Sequence, residues 1–110
     1  MSVNEVYRTK WAQPRRGERF PKHEAMIELW RALPPIADFV PTDGVFDCDR
    51  TRALLEKGFS KGEKLCFLFL LAVWNPAHYA SGFALTDAIS DMDDVSRAVV
   101  ADWTLNPWWP

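Results

Sequence analysis

The hydrophobic pattern of the chain centres on one uninterrupted apolar run. Residues 65–74 read LCFLFLLAVW, ten apolar residues without a charge. A helix that crosses a bilayer needs about 20 such residues, so this run is too short for a membrane span. It predicts a buried helix at the centre of a small domain with no membrane contact.

Helix start and stop signals stand on either side of this run. Ser60 is followed three positions later by Glu63, the capping-box pattern that opens an α-helix, and Asn75-Pro76 follows the run. The pattern therefore predicts a central helix over residues 61–74. A shorter strand of about five or six residues inside the run stays open, because an all-apolar run shows no period.

An amphipathic helix is predicted before the central one, over residues 23–33. Its apolar side chains fall on one helical face. They are Met26, Ile27, Trp30 and Leu33. Pro34-Pro35 ends the helix, because proline lacks the N–H that would continue the hydrogen-bond ladder. Residues 36–48 follow as a partly apolar linker that we expect to lie against the core.

A short second helix is predicted over residues 50–57. Asp49 is its expected N-cap, and Gly58 is the signal for its C-terminus. Leu54 and Leu55 are expected to face inward. The helix therefore joins the linker to the central helix.

Beyond a loop over residues 75–82, apolar residues recur with a period near 3.6. This stripe consists of Leu85, Ala88, Ile89, Met92, Val95, Val99 and Trp103. Residues 90–93 include a serine and aspartates, which favour helix ends over helix interiors. The pattern therefore predicts either two short helices with a joint near 90–93 or one bent helix.

Length and composition place these elements in one small globular domain, residues 1–110. The chain has 110 residues, of which 48% are hydrophobic and 25% charged, close to the globular average. The predicted fold is all-α, with four or five short helices around the central helix. The six tryptophans predict many aromatic contacts, in the core or on the surface.

Charge is unevenly distributed along the chain. Residues 1–22 hold six basic and two acidic residues, a net charge of +4, whereas residues 23–110 hold seven basic and thirteen acidic residues, a net charge of −6. The first segment contains Pro14, Gly17 and Pro21 and is expected to form an extended basic arm. Because it also carries valines and aromatic residues, we expect it to pack on the helical core of residues 23–110.

The arm also offers a nucleic-acid hypothesis. Arg15 and Arg16 have the charge to bind phosphates. A nucleic-acid module is usually basic over a whole face, and the rest of this chain is acidic. Nucleic-acid binding is therefore kept as an alternative that we do not expect.

Metal and cofactor chemistry have little support in the sequence. The two cysteines and two histidines are isolated, whereas zinc sites are built from ligands paired at short spacing. We predict no metal and no cofactor. His78, near Tyr79 and Ser81, is the one candidate general base, and it defines an enzyme alternative that we consider weaker than a binding role.

Compartment is predicted from the cysteines and the first residues. Cys66 lies in the apolar run and Cys48 lies between two aspartates, so neither has the setting of a reactive thiol. The first residues do not show the pattern of a secretion signal. The expected location is cytoplasmic.

An acidic group and an aromatic tail are the candidate interaction sites. Asp87, Asp91 and Asp94 define an alternative in which the protein is an inhibitor or immunity-type protein with an acidic face. In the extended tail, Trp108 and Trp109 point to opposite sides, so we expect one to insert and the other to face outward. The leading hypothesis is a small binding or adaptor protein that contacts another protein or a second copy of itself.

Overall fold

The computed structural model describes residues 22–79 and 82–110. These ranges form six α-helices and one 3-10 helix, with no strand among them. In chain order they are α1 (Lys22–Arg31), the 3-10 helix (Pro34–Phe39), α2 (Cys48–Leu54), α3 (Lys61–Trp74), α4 (Pro76–Tyr79), α5 (Leu85–Asp91) and α6 (Asp94–Leu105). The all-α prediction is confirmed, with more helical segments than the four or five predicted.

The predicted central helix is α3, and its bounds agree with those expected from the sequence. Its N-terminus carries a complete capping box: the Glu63 N–H donates to the Ser60 hydroxyl at 3.2 Å, and the Ser60 N–H donates to the Glu63 carboxylate at 2.9 Å. The strand alternative for this segment is wrong. Across the described ranges, no helix has the length and apolar character needed to cross a membrane.

The core is organised around α3. Helices α1, α2, α4, α5 and the 3-10 helix all pack against it. Half of its residues are buried, namely Leu65, Cys66, Phe67, Phe69, Leu70, Leu71 and Val73. Because neighbours cover α3 on several sides, an all-apolar sequence suits it better than a single apolar stripe.

Helix α1 packs its predicted apolar face into this core. Met26, Ile27, Trp30 and Leu33 are all buried, as expected. The helix ends at Arg31, and the 3-10 helix begins at Pro34 and extends over the first four residues of the segment predicted as a linker. The linker is therefore partly helical.

Helix α2 differs from its prediction at both ends. Its N-cap is Asp47 and not Asp49: the Asp47 carboxylate accepts a 3.0 Å hydrogen bond from the Arg50 N–H. The helix ends at Leu54, three residues before the expected end. Gly58 has φ +60°, so it makes the left-handed turn expected of a glycine, but it does so beyond the helix end.

The last two helices confirm the two-helix alternative for the C-terminal half. Helix α5 ends at Asp91 and α6 begins at Asp94, with Asp93 as N-cap accepting from the Ser96 N–H at 3.0 Å. The end of α5 lies very close to the start of α3. A Cβ atom on Gly62 would stand 2.6 Å from the Asp91 carbonyl oxygen, so only glycine permits this approach.

Aromatic rings form a continuous line of contacts through the molecule. Consecutive centroids are 4.9 to 6.1 Å apart. The line runs Phe39, Phe59, Phe67, Trp30, Phe46 and Trp74. Tilted and edge-to-face pairs at such distances contribute about 0.5–1.5 kcal/mol each beyond their buried area. We call this set the aromatic line.

Candidate interaction surface

Large apolar side chains are exposed on the face formed by α5, α6 and the tail. The exposed fractions are 62% for Leu85, 59% for Ile89, 74% for Leu105 and 55% for Trp109. A groove of about 430 Å³ lies between the two helices. We call it the α5/α6 groove.

The groove follows from the spacing of residues on the two helices. On α5, Leu85 and Ile89 are one turn apart, and on α6, Ala101 and Leu105 are one turn apart, so each helix presents a short apolar ridge. Val100 is buried and belongs to the groove lining. The two ridges and this buried wall make the groove almost wholly apolar.

The apolar stripe predicted from the sequence is divided between the core and the surface. A single stripe along one face describes one straight helix, but the chain changes direction between Asp91 and Asp94. Among the stripe residues, Ala88, Met92 and Val99 are buried, whereas Leu85, Ile89 and Val95 are exposed. The stripe therefore supplies residues both to the core and to the groove.

Arg97 carries the positive charge at the groove. One guanidinium nitrogen donates to the Ile89 carbonyl at 3.1 Å, and another pairs with the Asp94 carboxylate. Because these bonds join the end of α5 to the first turn of α6, they hold the two ridges in place. Arg97 also belongs to the groove lining, so a cation lies beside an otherwise apolar surface.

The C-terminal tail extends this surface beyond the groove. A second hollow of about 210 Å³ shares Leu85, Val100 and Thr104 with the groove and reaches Trp109. The ring of Trp109 makes an edge-to-face contact with Trp103 at 4.9 Å. The groove and the exposed tail residue therefore form one continuous apolar surface.

The two tail tryptophans face in opposite directions, as predicted. Trp108 is 5% exposed and Trp109 is 55% exposed. The Trp103 indole N–H donates to the Trp108 carbonyl at 3.1 Å and fixes the tail against α6. The inward and outward arrangement is confirmed, and the interface role of Trp109 stays a prediction.

The predicted acidic face is partly neutralised within the protein. The Lys61 ammonium lies 3.7 Å from the Asp87 carboxylate and 3.0 Å from that of Asp91, and Arg97 pairs with Asp94. The hydrogen bond to Asp91, with help from Asp87, raises the pKa of Lys61. A basic partner would have to compete with these cations, and the sequence alone did not indicate that Lys61 would lie there.

His78 lies apart from this surface. Its side chain is exposed, and its ring meets the Tyr79 ring edge-on at 4.6 Å. The Tyr79 hydroxyl accepts a 3.2 Å hydrogen bond from the Cys48 thiol, which raises the pKa of Tyr79. His78 lines neither hollow, and Ser81 is outside the described residues. The enzyme alternative stays a prediction.

Two further predictions concern metal binding and the N-terminal arm. In residues 22–79 and 82–110, no group of three or more His, Cys, Asp or Glu side chains is placed to hold a metal ion. Arg15 and Arg16 lie outside these ranges, together with the arm up to residue 21. Packing of the arm on the core and its weak affinity for nucleic acid stay predictions.

Comparison of the chain with protein-family models, with curated proteins and with solved structures found no match. The α5/α6 groove and Trp109 are therefore the features that bear on function. These features combine exposed apolar side chains, one cation and a rigid helical frame.

Proposed function

We propose that the protein is a small binding protein that acts through protein–protein contacts, with the α5/α6 groove and Trp109 as its interface. One observation carries the proposal: Leu85, Ile89, Leu105 and Trp109 are all more than half exposed on one continuous surface. A groove of this kind receives the apolar face of another helix, which would pack beside α5 and α6.

The size of the surface supports this role. If a large apolar side chain has about 150–250 Å² of surface, the exposed fractions of these four residues amount to roughly 400–600 Å². The largest apolar patch on a typical monomer is about 300–600 Å² and is often functional. Tryptophan is also enriched among residues whose truncation costs about 2 kcal/mol or more of binding energy.

Two further parts of the proposal concern location and the competing role. A cytoplasmic setting suits the free thiols of Cys48 and Cys66, because reducing compartments maintain thiols.

The inhibitor or immunity-type alternative has weaker support, since Lys61 and Arg97 already pair with its three aspartates.

Site-specific photocrosslinking in the host cell tests the proposal. A benzophenone amino acid at position 85 reports on the groove, and the same amino acid at Phe39 is the matched control, because Phe39 is 47% exposed on the 3-10 helix. We expect discrete protein adducts at position 85, lost when Ile89→Asp is added. Adducts of the same pattern at both positions would show that the groove is not a specific interface.

A further inference from the structure

We propose that His23 is a pH-sensitive contact that holds residues 40–47 against α1 only while its imidazole ring is neutral. The Phe46 N–H donates a 3.0 Å hydrogen bond to Nδ1 of His23, and this bond joins the segment before α2 to the first turn of α1. His23 lines neither hollow, so the contact is separate from the α5/α6 groove and independent of its proposed function.

The hydrogen bond requires one protonation state of the ring. Nδ1 accepts a hydrogen bond only when it carries no hydrogen, so the proton of the neutral ring is on Nε2. In the imidazolium form both ring nitrogens are donors. A histidine takes up this second proton between about pH 5 and pH 8. After protonation the Nδ1–H group and the Phe46 N–H point at each other, and the bond is lost.

The ring of Trp74 determines which side of the contact moves. Its centroid lies 5.4 Å from that of His23, with the two planes inclined at 35°. A cation within about 6 Å of an indole centroid is attracted to the ring, so protonation strengthens this contact. The imidazolium therefore stays beside Trp74, and Phe46 is the group that separates.

Aromatic packing limits how far the segment opens. Phe46 is 2% exposed, and its ring lies 6.1 Å from that of Trp30 and 5.0 Å from that of Trp74. The backbone N–H groups of Gly44 and Val45 bond within the segment itself. Loss of the bond to the histidine therefore loosens residues 40–47 without unfolding the core. One hydrogen bond of this kind changes the open population about three- to tenfold.

The charged groups around the contact do not replace the lost bond. Lys22 and Glu24 flank the histidine on α1 and carry opposite charges. The segment contributes Asp47, whose carboxylate already caps α2 and lies 3.6 Å from the Arg50 guanidinium. From α3 the group in contact is Trp74, which is uncharged. The coupling between ring protonation and the segment therefore passes through Nδ1.

Acidification then changes the surface of the protein. Phe46 lies in the aromatic line between Trp30 and Trp74. When residues 40–47 loosen, these rings become accessible to solvent and to other molecules. The contact is a conformational device that keeps this part of the aromatic line covered at neutral pH and uncovers it more often in acid.

Amide hydrogen exchange of the full chain, followed by NMR at about pH 7.5 and about pH 5, is the first test. We expect the protection factor of the Phe46 N–H, corrected for the intrinsic effect of pH on exchange, to fall about three- to tenfold at the lower pH. The Leu70 N–H in buried α3 is the internal reference and should keep its protection factor. An unchanged factor at Phe46, or an equal fall at Leu70, would overturn the proposal.

Two substitutions at His23 separate the acceptor from the ring. His23→Asn keeps an acceptor oxygen at the place of Nδ1 and does not titrate, so the Phe46 N–H should stay protected at both pH values. His23→Phe keeps a ring beside Trp74 and has no acceptor, so protection should be low at both. His78→Asn makes the matched change at the other exposed histidine and should retain the wild-type response. A response that survives in His23→Asn, or disappears in His78→Asn, would assign it to another group and overturn the proposal.

The ring-nitrogen chemical shifts of His23 give a check that needs no variant. At about pH 7.5 we expect Nε2 to carry the proton and Nδ1 to carry none. A proton on Nδ1 at that pH is incompatible with the bond from Phe46 and would overturn the proposal.

Discussion

The indole N–H of Trp30 donates a 2.8 Å hydrogen bond to the backbone carbonyl of Ile36. Both residues are buried, and the bond joins α1 to the 3-10 helix across Pro34-Pro35. A buried carbonyl needs a donor, and the indole supplies it where the prolines cannot. The tryptophan therefore fixes the direction of the chain after α1 as well as filling the core.

Trp30→Phe is expected to lower the free energy of unfolding by about 2–4 kcal/mol. It removes part of a buried ring and leaves the Ile36 carbonyl without its donor. Urea denaturation followed by far-UV circular dichroism measures the loss. The control is Trp103→Phe, which removes a similar bond to the Trp108 carbonyl at a half-buried site, where water can replace the donor. An equal loss in both variants would contradict this account.

Gly62→Ala is expected to destabilise the protein, although alanine is the better helix former. The new Cβ would stand 2.6 Å from the Asp91 carbonyl oxygen, a backbone atom that cannot move without shifting α5. The steric cost of about 1–3 kcal/mol then exceeds the helix-propensity gain of about 1 kcal/mol. Gly82→Ala, whose Cβ would make an ordinary 3.5 Å contact with Leu68, is the control and should be nearly neutral. A thermal melt in which Gly62→Ala gains stability would refute the prediction.

Leu70→Ala is expected to cost about 2–5 kcal/mol, because Leu70 is fully buried in α3. Leu68→Ala should cost clearly less, since Leu68 is only half-buried. Chemical denaturation of the two variants decides between a helix buried on all sides and one with a partly open face. Equal losses would indicate that α3 is covered all round; losses below about 0.5 kcal/mol for both would show that the run is not core.

The stability of the protein is expected to fall at alkaline pH through Cys66. Burial raises the pKa of this thiol from 9.0 to about 11. A group whose pKa is raised on folding stabilises the folded state below its unfolded pKa, and this contribution is lost as the pH rises through the folded pKa. The decline should lie between about pH 9 and pH 11.

Urea midpoints measured from pH 7 to pH 11 test this prediction. Cys66→Ala should flatten the alkaline decline, whereas Cys48→Ala should retain it. The comparison concerns the slope with pH and not the absolute stability, because Cys66→Ala also removes a buried sulfur atom. A decline of the same slope in Cys66→Ala would assign it to other groups.

The two tail tryptophans are expected to respond differently to truncation. Trp108→Ala should lower the free energy of unfolding by about 3–5 kcal/mol, because Trp108 is buried. Trp109→Ala should leave stability nearly unchanged and weaken association about 30-fold. Denaturation and sedimentation of both variants separate the two effects. If both variants lose only stability, the tail is core packing and Trp109 is not an interface residue.

Elements with local signals were predictable from the sequence. Helix α3 has a capping box at Ser60 and an Asn-Pro stop, so its bounds follow from neighbouring residues alone. The face of α1 follows from its spacing in the same way. The N-terminus of helix α2 was not predictable in this way. Asp47 and Asp49 are both good N-cap residues, and an N-cap residue needs an extended backbone. Asp47 has that backbone, with φ −112° and ψ 118°.

The candidate surface could not be predicted from the same pattern. Leu85 and Ile89 have the spacing of buried residues, yet α5 buries Ala88 and leaves both of them exposed where it packs against α3. Lys61 likewise neutralises acids that lie more than twenty residues away in sequence. Burial and charge pairing between distant segments are properties of the assembled fold, and a one-dimensional pattern does not contain them.

The aromatic line also determines how the protein can be observed. Its two tryptophans, Trp30 and Trp74, both contact Phe46 in fixed orientations. Rings held in an asymmetric, rigid setting give near-ultraviolet circular dichroism, which disappears when side-chain packing loosens even if the helices persist. The near-ultraviolet signal should therefore distinguish a variant that is packed from one that is merely helical, and it provides an optical check for every substitution described above.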